Sequence, residues 1–289
     1  MPSVSIDSDQ RRVPTSFRAI ISHLNASLIV GAVVTGISFF GAVFGPMLAP
    51  YPSTEAGPGA QLLPPSAVHW LGTDDVGMDV FSRVIAAPRI DLTIALSATL
   101  LALVIGTTVG GIAGYFRAWW SELIMRISDL VQSFPVFILA MALVVVTGQE
   151  IWNVIFVVAL VNTPIYVRLV RAEVLSLRER TFAEAAVTLG VSGLNVVRRH
   201  MIPNAIGPVI SQASITAGFA MLLTAGLSFV GAGVRVPTPE WGSMISIGAS
   251  SIVTGQWWPS MFPGIALSLS VFGFAMLGDG LSRLLSSEE

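Results

Sequence analysis

Residues 92–116 read LTIALSATLLALVIGTTVGGIAGYF, with no charged residue between Asp91 and Arg117. A charge at the bilayer centre costs at least about 2.5 kcal/mol, and a helix needs about 20 apolar residues to cross, so this stretch reads as a membrane-spanning helix. Five more charge-free runs flank it, at 19–54, 130–149, 151–167, 200–234 and 241–278. Trimmed at their Pro, Gly and polar ends, the six predict helices near 27–49, 91–115, 131–148, 151–169, 205–230 and 261–284. Composition agrees: 53% of the 289 residues are hydrophobic and only 11% charged, with mean hydropathy +0.77, whereas a soluble domain has about a quarter of its residues charged. The expectation is an all-α membrane protein with about six transmembrane helices and the lipid bilayer as part of its solvent.

The same arithmetic excludes several classes. No polar block is long enough for a second, soluble domain. With no cysteine, thiolate metal sites and cysteine nucleophiles are ruled out. His23, His69 and His200 are too scattered for a spaced metal motif, so no metal-binding or catalytic residue is expected, and a soluble enzyme is excluded. A formal charge of −2 gives nucleic acid nothing to bind.

Arginines set the orientation, because short basic loops stay in the cytoplasm. With the N-terminus inside and six crossings, twelve of the 15 basic residues, all of them arginine, fall inside: Arg11, Arg12, Arg18, Arg117, Arg126, Arg168, Arg171, Arg178, Arg180, Arg198, Arg199 and Arg283. Arg83, Arg89 and Arg235 fall outside. An N-in/C-in chain is therefore expected, with a cytoplasmic tail over 1–26, a retained first span at 27–49, an external loop over 50–90 and a core over 91–289. Trp119, Trp120, Trp257 and Trp258 suit interfacial belts.

Three segments between the spans carry information. The outer loop opens with Pro50, Pro52, Pro58, Pro64 and Pro65 and continues through Leu71-Gly72-Thr73-Asp74-Asp75 to Asp79, where a short helix is expected. It reads either as a capped surface turn or as a docking surface for an external partner. In the inner stretch, Phe182, Ala185, Ala186 and Leu189 share one face of a short amphipathic helix. Gly190 suits a left-handed stop, Ser192 a cap for a second helix, and Leu194, Val197 and Met201 share a side of that helix until Pro203 interrupts it. This helix-turn-helix is either a lever pressed into a soluble partner, with Glu184 available for charge pairing, or a loop folded back on its own bundle. The third segment, 231–260, contains Trp241-Gly242-Ser243-Met244-Ile245, which lies along the interface, dips back as a lid, or merely connects. Within the membrane, Pro164 is expected to kink the fourth span, and Asp279 and Arg283 to pair at i, i+4.

These residues resemble a known family over nearly the whole chain. Glu184-Ala185-Ala186, three residues, Gly190 and then Pro203 are similar to the EAA signature of binding-protein-dependent ABC importer permeases. Leu71-Gly72-Thr73-Asp74 through Asp79 with Ser82-Arg83, Ser133-Phe134-Pro135, Tyr166 through Ala172 including Arg168 and Arg171, Pro237 through Gly242, and Leu277-Gly278-Asp279-Gly280 narrow the resemblance. They point to the second ("C") permease subunit of dipeptide, oligopeptide and nickel importers. The chain departs from that pattern at Met78, Asp91, Thr224 and Ala275.

The resemblance implies a methionine-importer-type permease fold in a prokaryotic cytoplasmic membrane, with coupling helices at about 182–203. It also implies a homologous "B" permease, two ABC ATPase subunits and an extracytoplasmic solute-binding protein. The chain itself would hold no cofactor; ATP and Mg would belong to the ATPases. Asp74, Asp79, Arg83, Arg168, Arg171, Trp241, Asp279 and Arg283 are the structural or docking candidates. The rival class, a secondary transporter or channel acting alone, would need an ionisable relay or an inverted repeat, and neither is visible in the sequence.

Overall fold

The computed structural model describes residues 25–57 and 59–286; the expected tail lies outside the described residues as far as residue 24, as does Pro58. Helix α1 (Ala26–Leu48) starts at Asn25, whose Oδ1 accepts the Leu28 N–H at 2.9 Å. Two helices follow the outer loop, α2 (Val80–Ala86) and α3 (Pro88–Tyr115). Together they form one apolar stretch of 36 residues, so the loop ends at Asp79 rather than at residue 90 and the core begins earlier than residue 91. The cause is local. Asp79 Oδ2 accepts from Ser82 N at 2.8 Å and Ser82 Oγ at 2.7 Å, capping α2, and Pro88 sits in the first turn of α3, where its missing N–H is no loss.

The third span departs most from expectation. Instead of one helix over 131–148 there are two, α4 (Trp119–Ser133) and α5 (Val136–Thr147), bent by 93°. Pro135 removes a donor and holds Phe134 extended, at φ −85 and ψ 142. Glu122, Arg126 and Asp129 concealed α4 from a search for charge-free runs. Among the described residues, five helical stretches are long and apolar enough to cross a membrane, or six if the bent pair counts as one.

Helix α6 (Ile151–Arg178) runs further than the expected 151–169 and continues through Pro164. Asn162 Nδ2 donates to Val158 O and Thr163 Oγ1 to Ala159 O, each at 2.8 Å, in the turn before the proline; the carbonyl that the proline leaves without its helical donor is that of Leu160. Helices α7 (Thr181–Thr188) and α8 (Gly193–Val196), a π turn (Val197–Met201) and α9 (Ile202–Asn204) lead into α10 (Ile206–Phe229). The chain closes with α11 (Trp241–Ile252) and α12 (Trp258–Ser286).

Lipid tails are as apolar as leucine, so close packing must hold the bundle together. The central seam is α3 on α6, where Gly106, Gly110 and Gly114, four apart, face the partner backbone. A Cβ at Gly106 would lie 2.4 Å from Tyr166 Cβ, and one at Gly110 would lie 2.5 Å from the Val167 carbonyl oxygen. Beyond it, α10 packs on α12 through Ser214 Oγ, which donates to Phe274 O at 2.9 Å. Helix α12 lies antiparallel to α1, with Ser38 Oγ and Ser270 Oγ 2.8 Å apart and Gly31 against the Leu277 backbone. The other side of α1 stays uncovered: Val33, Ile37 and Val43 are exposed along it, as suits a lipid-facing helix.

Candidate functional site

At the arginine-rich end the chain leaves α6 through a clamp. Arg178 Nη1 donates to the Tyr115 carbonyl at 2.9 Å, occupying an acceptor at the end of α3, and its guanidinium lies 5.6 Å from the Tyr115 ring centroid. The next turn starts α7. Ala183 is buried, whereas Phe182, Ala185 and Leu189 are exposed, Leu189 at 82%. The side chains of Glu184 and Ala186 lie outside the described residues. Gly190 has φ +77, the left-handed geometry that glycine adopts without Cβ strain.

The second arm differs from the expected pattern. Ser192 makes no side-chain capping bond, and Leu194 is exposed. Val196 joins Val197 and Met201 on the buried side. Pro203 does not break the arm; it occupies the first turn of α9. The second arm is thus rooted in the bundle, while the first offers an apolar face that the chain itself does not cover.

Arg168 and Arg171 serve α4. Arg171 Nη2 meets Glu122 Oε1 at 3.0 Å and Arg168 meets Asp129, which ties α4 along α6; such exposed pairs contribute about 1 kcal/mol or less. Arg283 Nη2 pairs with Asp279 Oδ2 at 3.0 Å, as their spacing predicts.

At the opposite end, Arg83 is 2% exposed and donates through Nη1 to Ser53 O at 3.0 Å, to Pro237 O at 3.2 Å and to Met78 Sδ. One guanidinium therefore joins two loops far apart in sequence. Its Nε is 3.8 Å from Asp74 Oδ2, and Asp74 Oδ1 accepts the Met78 and Val76 N–H groups at 2.7 and 3.1 Å. Burial pushes the Asp74 carboxyl above its ordinary range, opposed by the Met78 N–H and by Arg83. Asp79, besides capping α2, lies 2.9 Å from His69 Nδ1. Trp241 is buried, and its Nε1 donates to Val84 O at 3.1 Å.

Asp79, Arg83 and Trp241 are therefore buried and bonded within the chain, and segment 241–252 is a packed helix rather than a loose connection. Trp258 likewise departs from an interfacial belt: it is buried, with Nε1 donating to Thr73 O at 3.1 Å. Sequence reading missed a pair of buried carboxyls. Glu240 accepts from Gly242 N at 2.9 Å and Ser243 N at 2.7 Å, capping α11, and Asp91 Oδ2 accepts the Trp241 N–H at 3.3 Å. Asp91 and Glu240 are far apart in the sequence, so only the run Glu240-Trp241-Gly242-Ser243, an acid before a helix start, carried a signal. Among the described residues there is no group of three or more His, Asp or Glu that could hold a metal ion.

Spanning helices joined by glycine seams, outer loops stapled from within and an uncovered elbow define a membrane-embedded subunit of a larger machine. The chain belongs to the family of binding-protein-dependent transport system inner membrane components, whose pattern it matches over residues 106–288. It is 39% identical over 282 residues to a dipeptide transport system permease protein (DppC) of Alkalihalophilus pseudofirmus, covering 97% of this chain and 92% of that one. It is 37% identical to a probable D,D-dipeptide transport system permease protein (DdpC) of Escherichia coli K12, covering 89% and 86%. To a glutathione transport system permease protein (GsiD) of Pectobacterium atrosepticum it is 38% identical, covering 75% and 72%. It is a multi-pass inner-membrane permease, not an enzyme, and works with other subunits and a solute-binding protein in an ABC transporter.

Proposed function

We propose that this chain is one of two homologous permease subunits of a peptide importer, oriented N-in/C-in in a prokaryotic cytoplasmic membrane. Its partners are a "B" permease, two ABC ATPases that bind ATP and Mg, and an extracytoplasmic binding protein that docks on the loops around Asp74. Relatives named for dipeptide and glutathione transport support a peptide-like cargo. The observation that carries the reading is the elbow: α7 turns Phe182, Ala185 and Leu189 outward, while Val196, Val197 and Met201 anchor the following arm in the bundle. A lever needs this division between a face free to be gripped and a root that moves the spans. In this reading Glu184, Ala185, Ala186, Gly190 and Pro203 form the ATPase seat. ATP-driven closure moves the seat and rocks the bundle between two packed arrangements.

Glu184→Lys and Gly190→Pro test this. Both variants should insert normally and lose uptake, and Gly190→Pro should also fail to co-purify the ATPases, because proline cannot adopt the positive φ. Normal uptake by both variants refutes the lever.

A further inference from the structure

At Phe134-Pro135 the chain turns 93° from α4 into α5. The last carbonyls of α4 thereby lose their helical donors, and α5 starts without a side-chain cap. Irregular backbone at membrane depth is tolerated only where protein covers it or water reaches it. Gln132, Ser133, Phe134 and Pro135 are all exposed on the single chain, so this face is not turned to lipid. Asn162, beside the break, lies three helical turns beyond the start of α6, about 16 Å along the helix and near the middle of a hydrocarbon core of about 30 Å.

A recess of about 420 Å³ opens here, walled by Gln132, Phe134, Val136, Asn162, Ile165 and Phe219. Asn162 is 1% exposed; its Nδ2 is bound to Val158 O, while its Oδ1 has no partner. A buried amide oxygen left unmatched is costly; the oxygen is closed off in this arrangement of the bundle, and a ligand N–H would satisfy it when the bundle shifts to its other arrangement and uncovers it. The opposite side of α6 makes the contrast. The recess there, lined by Leu101, Ile127, Phe156 and Leu160 among others, is almost wholly apolar. Its two hydroxyls bond within their own helices, Thr163 Oγ1 to Ala159 O at 2.8 Å and Ser128 Oγ to Ile124 O at 2.9 Å.

We propose that the recess at the break is this chain's part of the solute path. Asn162 Oδ1 accepts the N–H of a peptide group in the passing solute, and the uncapped start of α5 faces its carbonyl or carboxylate oxygen. Phe134 and Phe219 give apolar side chains a surface to slide on. A neutral acceptor selects peptide groups without trapping charge, which suits a path that must release what it admits. The inference rests on the peptide-importer reading, and the experiment separates the two.

The complete transporter, reconstituted with its ATPases and binding protein, is assayed with glycylalanine and with glycylsarcosine, whose peptide nitrogen carries no hydrogen. Asn162→Leu should slow glycylalanine uptake at saturating solute about two- to tenfold, the range for one lost hydrogen bond. Glycylsarcosine uptake and binding-protein-stimulated ATP hydrolysis should be unchanged. Equal effects on both dipeptides, or none on either, overturn the role of Asn162.

Because the chain has no cysteine of its own, Gln132→Cys gives a second measurement that spares the buried amide. It should react with a membrane-impermeant methanethiosulfonate and be protected during glycylalanine transport, while Phe156→Cys on the other side of α6 stays inert. If both are inert in a transporting complex, the recess lies off the path and the permease reading stands. If the wild-type complex hydrolyses ATP but moves neither dipeptide, the peptide reading fails and the inference falls with it.

Discussion

Gly110→Ala should destabilise the bundle far more than an added methyl group usually does. The new Cβ would sit 2.5 Å from the Val167 carbonyl oxygen and 3.0 Å from its Cα. Ordinary contact begins near 3.4 Å, so α3 and α6 must part by about 0.9 Å, and both obstructing atoms are backbone, with no rotamer to yield. A gap of that size forfeits about a quarter to a half of each affected dispersion contact, which places the cost in the upper part of the overpacking range, about 2–3 kcal/mol. Alanine's better helix propensity returns about 0.8–1 kcal/mol, leaving a net loss of about 1–2 kcal/mol, or roughly 2–8 °C in Tm at about 2–4 °C per kcal/mol.

Two further glycines calibrate the scale. Gly36→Ala meets nothing within 4 Å and should be neutral or slightly stabilising, and Gly111→Ala meets only side-chain atoms, those of Ile202 at 3.2 Å and Val197 at 3.5 Å, and should fall between. Tryptophan fluorescence of the detergent-purified transporter, followed on heating, ranks the three. Equal Tm values for Gly110→Ala and Gly36→Ala would refute the claim that backbone contact along α3 and α6 holds the bundle.

Arg83→Gln should loosen residues 49–79 and 231–240 together, at a cost of about 3 kcal/mol or more for breaking a buried pair; limited proteolysis from the outer face should cut both loops, and cutting of one alone would contradict a shared staple. Glu240→Ala should cost about 1–3 kcal/mol by orphaning the Gly242 and Ser243 N–H groups, while Glu240→Gln, which keeps one acceptor and removes a carboxyl beside Asp91, should stay within about 1 kcal/mol of wild type in the same thermal assay. Because the folded-state pKa of Asp74 lies above its ordinary 3.8, the folded chain holds that proton more tightly than the unfolded chain, so the Asp74 contribution to stability falls as pH rises from near 4 through the raised value. The difference in Tm between wild type and Asp74→Asn should therefore shift against wild type with rising pH, and a pH-independent difference would exclude this linkage.

Where charge-free runs were long, sequence and structure agree closely: α1, α10 and α12 fall within a few residues of their expected bounds. The methyl-free stripe at Gly106, Gly110 and Gly114 was present in the opening stretch, but its meaning depends on which helix lies across from it. Helix α4 escaped because Glu122, Arg126 and Asp129 interrupt it, and two of these are matched by arginines on α6, far along the chain. A run-length search sees the cost of a charge but not the partner that offsets it. The elbow was legible as two arms and a stop, since Gly190 and the spacing around Phe182 are local signals. In the second arm Val197 and Met201 are buried as their spacing predicts, but the exposure of Leu194 was not legible, because an apolar residue at the start of a short helix has the same local signal whether or not the bundle covers it. The inward aim of Arg83 and Trp241 was equally hidden, since their acceptors, Pro237 O and Val84 O, are distant backbone atoms.

The antiparallel contact of α1 with α12 joins positions 232 apart in the sequence. At a synthesis rate of about 5–20 residues per second, the first helix waits about 10–50 s for the mate that covers its Thr35 and Ser38 side. During biogenesis that side is a half-made zipper in lipid, and whatever shelters nascent helices at the insertion site must hold it until the last one arrives.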